Sequence, residues 1–320
     1  MTVDLSNEWL IGAGQGATLT IWRIAPHGSC GMAHTLAHPT EIACAALSPE
    51  DEEGKHVATA CRDGSLRVWT LPAGELAVEM DGAHGGAAGR DGAGPVAMSA
   101  TDVFGLVWLD ARTLLSAGTD RALRRWCART GSCLQSLCGT AACSALAVDR
   151  ALGLVASPQR DHAVALLACD TLDCARTLHG HTRPIMAVAL GGGLVACAGM
   201  GGLITCWDAH SGACTRTLSY RAAGTYALAL LGGDAGSGAL LLSGGCGETC
   251  VRVWSLRHGA LVARLHRPHG GSGSVCALAV HGARVLSGDN AASMPQLWEA
   301  DDGYDLLLQC ATPRLHVRSE

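Results

Sequence analysis

Along the chain, short apolar or alternating runs follow one another, each closed by Gly, Asp, Asn or Ser. Such length and punctuation predict β-strands joined by tight turns, because a helix would show apolar positions three and four apart. The runs come in sets. TLLSAG (113–118) is followed by a Gly/Asp-type turn and the alternating run ALRRW (122–126), which predicts a hairpin. Ahead of it lies VFGLVWLD (103–110), nearly unbroken in apolar character, and EIACAALS, CSALAVD, PIMAVAL, TYALALL and SVCALAV are its equivalents elsewhere. Runs of that kind predict innermost strands buried on both faces. A more polar run closes each set: GSCLQSL, DCARTLHG, GACTRTL or GALVARL.

The sets recur with a fixed period. Six of the eight Trp end the same phrase, at Trp22, Trp69, Trp126, Trp207, Trp254 and Trp298, and only Trp9 and Trp108 fall outside it. Between Trp126 and Trp207 the phrase LVASPQRDHAVALL puts Leu167 at the Trp position, so the intervals become 47, 57, 41, 40, 47 and 44 residues. Seven units of four strands, with no helical period between them, predict radial closure, since an open sheet of that length would leave long exposed edges. The expectation is one all-β unit over 1–320, a seven-bladed propeller with four antiparallel strands per blade. Its approximate blades are 1–37, 38–83, 84–138, 139–179, 180–219, 220–266 and 267–320.

The phrases RTGSCLQSLCGT (129–140), RTLHGHTRPIMAVAL (176–190) and CWDAHSGACTRTL (206–218) carry a family likeness. They resemble the WD40 repeat family, in which Gly-His opens a unit and Trp-Asp closes it; Gly180-His181 and Trp207-Asp208 are the literal matches. The resemblance implies a hydrogen-bonded set in each blade: a His, a strand Ser or Thr, a turn Asp and the Trp. In blade 2 these positions are His38, Thr59, Asp63 and Trp69. Blade 3 offers Ser116, Asp120 and Trp126, with His84 across an insertion. Blade 4 keeps Ser157 and Asp161 but has Thr140 and Leu167 for the His and Trp. Blade 5 has His181 and Trp207, with Cys197 and Gly201 in place of Ser and Asp. These residues are structural on this reading, and His38, Asp63 and Thr59 do not form a catalytic triad. Gly/Ala-rich insertions at 84–102 and 232–238 are expected as surface loops. TVDLS is expected as the first strand of blade 1 and DLLLQCATP as the last of blade 7. Leu315 to Arg318 is the one segment that offers the strand-sharing by which family rings close.

Composition narrows the chemistry. With 48% hydrophobic residues and a net charge of -5, the chain is neither disordered nor suited to a polyanion, so no nucleic-acid partner is expected. MTVDLSNEWLIGAG has no secretory pattern and no apolar stretch reaches membrane-spanning length, so an intracellular protein, cytoplasmic or nuclear, without a membrane partner is expected. The 16 Cys include no C-x-x-C pair, which favours reduced core thiols over zinc. Gly12-x-Gly14-x-x-Ala17 matches a dinucleotide fingerprint, but the strand TLTIW follows it where a helix is required. No G-x-S-x-G, H-E-x-x-H or Walker A sequence occurs. Neither a cofactor, a metal nor a catalytic residue is expected. The resemblance places Arg62, Thr119, Arg160 and Met200 in one class of turn and Arg183 and Arg221 in another, on one face around the channel. That arrangement is the candidate partner-binding face, with the arginines as a collar for an acidic or phosphorylated peptide.

The functional expectation is a non-catalytic scaffold or adaptor that binds partner proteins or peptides on its faces. TGSCLQSL also resembles the propellers of F-box-containing ubiquitin-ligase substrate receptors, which gives a substrate-recognition subunit as an alternative. WD40-type hydrolases such as the diphthine methylesterases give a second, and an RNA-associated scaffold is a third that the acidic balance disfavours.

Overall fold

The computed structural model describes residues 2–14, 16–25, 30–49, 55–84, 102–140, 145–220, 224–232, 239–247, 249–266, 274–289 and 295–299. Every regular element among them is a strand, and the strands form seven sheets spanning 2–37, 42–80, 103–138, 147–178, 185–219, 225–266 and 275–299. Six sheets hold four strands in chain order; the seventh shows three among the described residues. All neighbouring strands are antiparallel. First strands of successive sheets touch around a full circle, the last of them against Thr2–Leu5 of the first sheet. The result is a seven-bladed β-propeller with the first strands around its channel.

Its core lies between the blades. Alternate residues of a strand face opposite sides of its sheet, so each blade supplies apolar residues to both neighbours. In Leu203–Asp208, Trp207 faces blade 4 while Ile204 and Cys206 face blade 6. Seven apolar clusters result, each shared by two adjacent blades. The recurrent Trp always packs toward the preceding blade, as Trp69 does against Ile11 and Ile21 of blade 1. Burial of this kind stabilises by about 25 cal/mol per Å² of apolar surface removed from water.

Closure follows the same rule. Val3, Leu5, Leu10 and Trp22 of blade 1 form one cluster with Ala279, Leu286 and Leu297 of blade 7. At the rim, Asn7 accepts from His281 Nε2 at 3.0 Å on its side chain and from Arg284 at 3.0 Å on its carbonyl. Among the described residues, blade 1 is built wholly from its own strands. The expected closing segments, DLLLQCATP and Leu315 to Arg318, lie outside the described residues, as do 85–101 and 233–238 of the two insertions.

First strands are buried on both faces, as expected: in Ile185–Gly191, Ala187 and Ala189 pack toward blade 6, and Ile185, Val188 and Leu190 toward blade 4. One sequence expectation changes. Cysteine is not confined to the core, for Cys133, Cys138, Cys174 and Cys214 are exposed on outer strands. The two Trp outside the phrase also find places. Trp108 is buried and donates its indole N–H to the Ala46 carbonyl at 3.0 Å, tying blade 3 to blade 2. Trp9 is buried in the cluster of blades 1 and 2, with the Arg23 guanidinium 5.7 Å from its ring centroid.

A repeated clasp binds the outer edges. From the fourth strand of one blade, a side chain reaches the turn before the fourth strand of the next. His34 donates to the Pro72 carbonyl (2.5 Å), Gln135 to Thr171 (3.0 Å), Arg176 to His210 (2.6 Å), and Arg216 to Leu256 and Arg257 (both 3.1 Å). The receiving turns carry a left-handed residue: Gly74, Gly212 and Gly259, with Leu172 in blade 4. A Cβ on Gly212 would lie 2.6 Å from Arg176 Cδ. Gly212→Ala is therefore expected to cost about 1–2 kcal/mol for the left-handed backbone, plus the displacement of Arg176. Gly153, at φ 64 with open space around it, supplies the control. Urea midpoints should fall further for Gly212→Ala than for Gly153→Ala; equal shifts would show that the clasp contributes nothing.

Candidate functional site

The recurrent polar set is laid out by strand register. The residue opposite each Trp on the second strand is Leu10, Val57, Leu114, Val195, Leu241 or Val285, with Val155 opposite Leu167. Two residues further on, on the same side of the sheet, stand Gly12, Thr59, Ser116, Ser157, Cys197, Ser243 and Ser287. Where a hydroxyl is present, the indole N–H reaches it: Trp69 to Thr59 at 3.2 Å, Trp126 to Ser116 at 2.8 Å, Trp254 to Ser243 at 2.9 Å and Trp298 to Ser287 at 3.2 Å.

Blade 3 holds the full set. His84 bridges the Ser116 hydroxyl (2.7 Å) and the Asp120 carboxylate (2.9 Å), and Arg124 closes on the other carboxylate oxygen. The insertion therefore does not displace His84. Burial alone would raise the Asp120 pKa, yet His84, Arg124 and the Ala122 amide together hold it at about 2. Blade 2 corrects the expectation of a complete set. His38 meets Thr59 at 2.9 Å, but its other nitrogen donates to the Leu36 carbonyl at 3.2 Å, and Asp63 turns to Ser65 instead. Arg67 occupies the space between, bonded to the Ser65 hydroxyl (2.8 Å) and paired with Glu79. Thr59 is fully buried beneath these groups, so its hydroxyl has no path to a substrate.

Elsewhere the set is partial. In blade 4, Ser157 has Gln159 Nε2 at 3.5 Å, while Asp161 accepts from the Ala163 amide at 3.2 Å and so only shapes its turn. In blade 5, His181 lies against Trp207 with ring centroids 5.7 Å apart, and its Nε2 is buried without a hydrogen-bond partner because Cys197 replaces the hydroxyl. Burial depresses the His181 pKa, as it does that of His38. Blade 6 uses Tyr220 in place of the His: its ring packs on Trp254 at 5.4 Å, its hydroxyl meets Thr225 at 2.6 Å, and Arg252 lies 4.4 Å over it. The signal for Tyr220 was its place at the end of a fourth strand, where other blades carry His.

The channel has two unlike mouths. One, at the ends of the first strands, holds a cavity of about 560 Å³ lined by Asp4, Lys55, Arg150 and His281 among others. Its polar groups stitch neighbouring blades. Asp4 of blade 1 accepts from the Leu47 amide of blade 2 at 2.7 Å, and Arg150 of blade 4 donates to the Trp108 carbonyl of blade 3 at 2.7 Å. Burial pushes the Asp4 pKa up, against the pull of those amides and of Arg150 and Lys55.

The expected binding residues belong to the opposite ends of the strands. Arg62 is paired with Glu41 of its own blade at 2.9 Å, and Thr119 hydrogen-bonds the Asp102 carbonyl at 3.3 Å. Arg160 lies at the cleft between blades 3 and 4, and Arg221 lies outside the described residues. Among the described residues of that set, Met200 and Arg183 come together, where Arg183 passes over Gly201. Beside them stands Tyr226, missed because its strand read as buried. A Cβ on Gly224 would lie within 4.0 Å of both the Met200 backbone and the Tyr226 ring. Met200 is 47% and Tyr226 38% exposed, whereas the other exposed large apolar side chains (Met32, Leu76, Leu134 and Val262) sit on four separate outer strands.

The seven-bladed ring, its recurrent indole-to-hydroxyl bonds and their period meet in one further finding. The family model described as WD domain, G-beta repeat (WD40) matches residues 31–70 and 172–208. The chain is a WD40-repeat propeller. Each match runs into the Trp-bearing strand of its blade, blade 2 and blade 5. At Trp207-Asp208, the WD40 dipeptide of this chain, Asp208 caps the next turn through the Ser211 amide (2.6 Å) and hydroxyl (2.7 Å), and these bonds lower its pKa. Comparison with curated proteins gave no match. Among solved structures, the computationally designed protein Ika8 is similar over 93% of this chain and 82% of its own, at 21% identity and a TM-score of 0.64. That likeness concerns the fold alone. WD40 propellers are in general protein-interaction scaffolds and are typically non-enzymatic.

Proposed function

We propose that this WD40 propeller is a non-catalytic platform that holds a partner protein at the channel mouth formed by Met200, Tyr226 and Arg183. The observation that carries this reading is the meeting there of two exposed large apolar side chains and an exposed arginine from two adjacent blades. Tyr, Met and Arg are the residue types enriched at the centres of interfaces. Tyr226 keeps a protonated phenol, its pKa raised by burial and by Cys246, so it offers a ring and a neutral hydrogen-bonding tip. The ligase-receptor and hydrolase alternatives rest on resemblance alone.

The test replaces Met200, Tyr226 and Arg183 with alanine together and compares the proteins co-purified from the native cell. A strong anchor contributes on the order of 2 kcal/mol, so the main partner should be lost while the melting temperature holds. Recovery of the same partners at the same yield would refute the assignment. Arg62→Ala, which breaks the pair with Glu41, should leave capture unchanged.

A further inference from the structure

Blade 4 departs from its neighbours at two positions of the recurrent set, Thr140 and Leu167. Both face the interface with blade 3, where a cleft of about 420 Å³ opens between Leu123 and Leu137 on one side and Ala165 and Leu167 on the other. In the interfaces on either side, Trp126 and Trp207 occupy the same register position as Leu167. The cleft is thus the place that an indole fills elsewhere in the ring.

A second observation points to a ligand. Thr140 is 5% exposed and lines the cleft, and its Oγ1 is buried without a hydrogen-bond partner. Leaving such a group unpaired is costly, and an indole N–H is a donor that its oxygen can accept. Arg160, exposed and also lining the cleft, is able to lie over an aromatic face. Cys138, the last residue of the outer strand Cys133–Cys138, is part of the same wall, and that strand is the edge of its sheet. An extended chain can pair with such an edge, which favours a protein segment over a free small molecule.

We infer that the cleft between blades 3 and 4 receives a tryptophan side chain from an extended segment of a partner protein, which takes the place of the missing indole. This site is separate from the channel mouth and does not depend on it. The probe is the pentapeptide acetyl-Ala-Ala-Trp-Ala-Ala-amide, titrated against the full chain with methyl-labelled leucine and followed by NMR. Shifts are expected at Leu123, Leu137 and Leu167, with no response to the all-alanine peptide. Leu167→Trp, which fills the cleft from within, should weaken binding at least tenfold. Thr140→Val, which keeps the shape and removes the acceptor, should weaken it about fivefold and serves if the first variant fails to fold. Shifts mapping elsewhere, or undiminished binding by both variants, would overturn the site. Free indole binding as tightly as the peptide would overturn the partner segment as its occupant.

Discussion

Asp120→Asn is expected to lower the unfolding free energy at pH 7 by about 2–3 kcal/mol, the value of a carboxyl pKa moved from 3.8 to about 2 on folding. The group lies under blade 3 with only 3% of its side chain exposed, so solvent screening is slight. Because the folded pKa is depressed, its contribution is complete above the unfolded value of 3.8. It is lost as pH falls from there toward 2. The variant and the parent should therefore differ fully at pH 7 and at pH 5, and converge between pH 4 and pH 2. Urea unfolding across that range measures the gap. A gap that stays constant down to pH 2 would mean that the carboxylate charge, held by His84 and Arg124, is not the source.

Trp126→Ala carries the larger penalty, about 3–5 kcal/mol for a buried Trp. The side chain is 6% exposed and sits in the cluster shared by blades 2 and 3, so its loss loosens two blades at once. It also removes the indole bond to Ser116. Ser116 keeps His84 as a partner, so no hydroxyl is stranded and the cost stays near the cavity range. Trp126→Phe separates the parts: most apolar contact remains, the N–H bond goes, and a loss of about 1–2 kcal/mol is expected. At Trp207 the facing residue is Cys197 rather than a hydroxyl, so Trp207→Phe should cost less than Trp126→Phe. The reverse order in denaturant midpoints would remove the indole bond from the account of blade stability.

The ring was legible because Trp and its facing Ser or Thr recur at a fixed register, and register sets which side of a sheet a residue occupies. The same period exposed Leu167 and Thr140 as departures. Side-chain geometry within the set was not legible. Asp63 and Asp120 hold equivalent places in sequence, yet Asp63 turns to Ser65, which blade 3 lacks at the matching position, Ala122. Tyr220 was hidden by its residue type. The site proved harder still. Arg62 reads as free until its blade brings Glu41 within 2.9 Å. Tyr226 reads as core until it is seen to fall at the register shift between Thr225 and Ala227, the one exposed residue of its strand. Such pairings depend on segments far apart in sequence or on the curvature of the ring, and neither leaves a local pattern.

Hydrogen exchange of the propeller, alone and bound to its captured partner, tests the central functional claim most directly. Protection concentrated in 199–203 and 224–228, around Met200 and Tyr226, is the predicted result. Protection confined to the other mouth, around 45–49 and 148–150, with 199–203 and 224–228 unchanged, would contradict it.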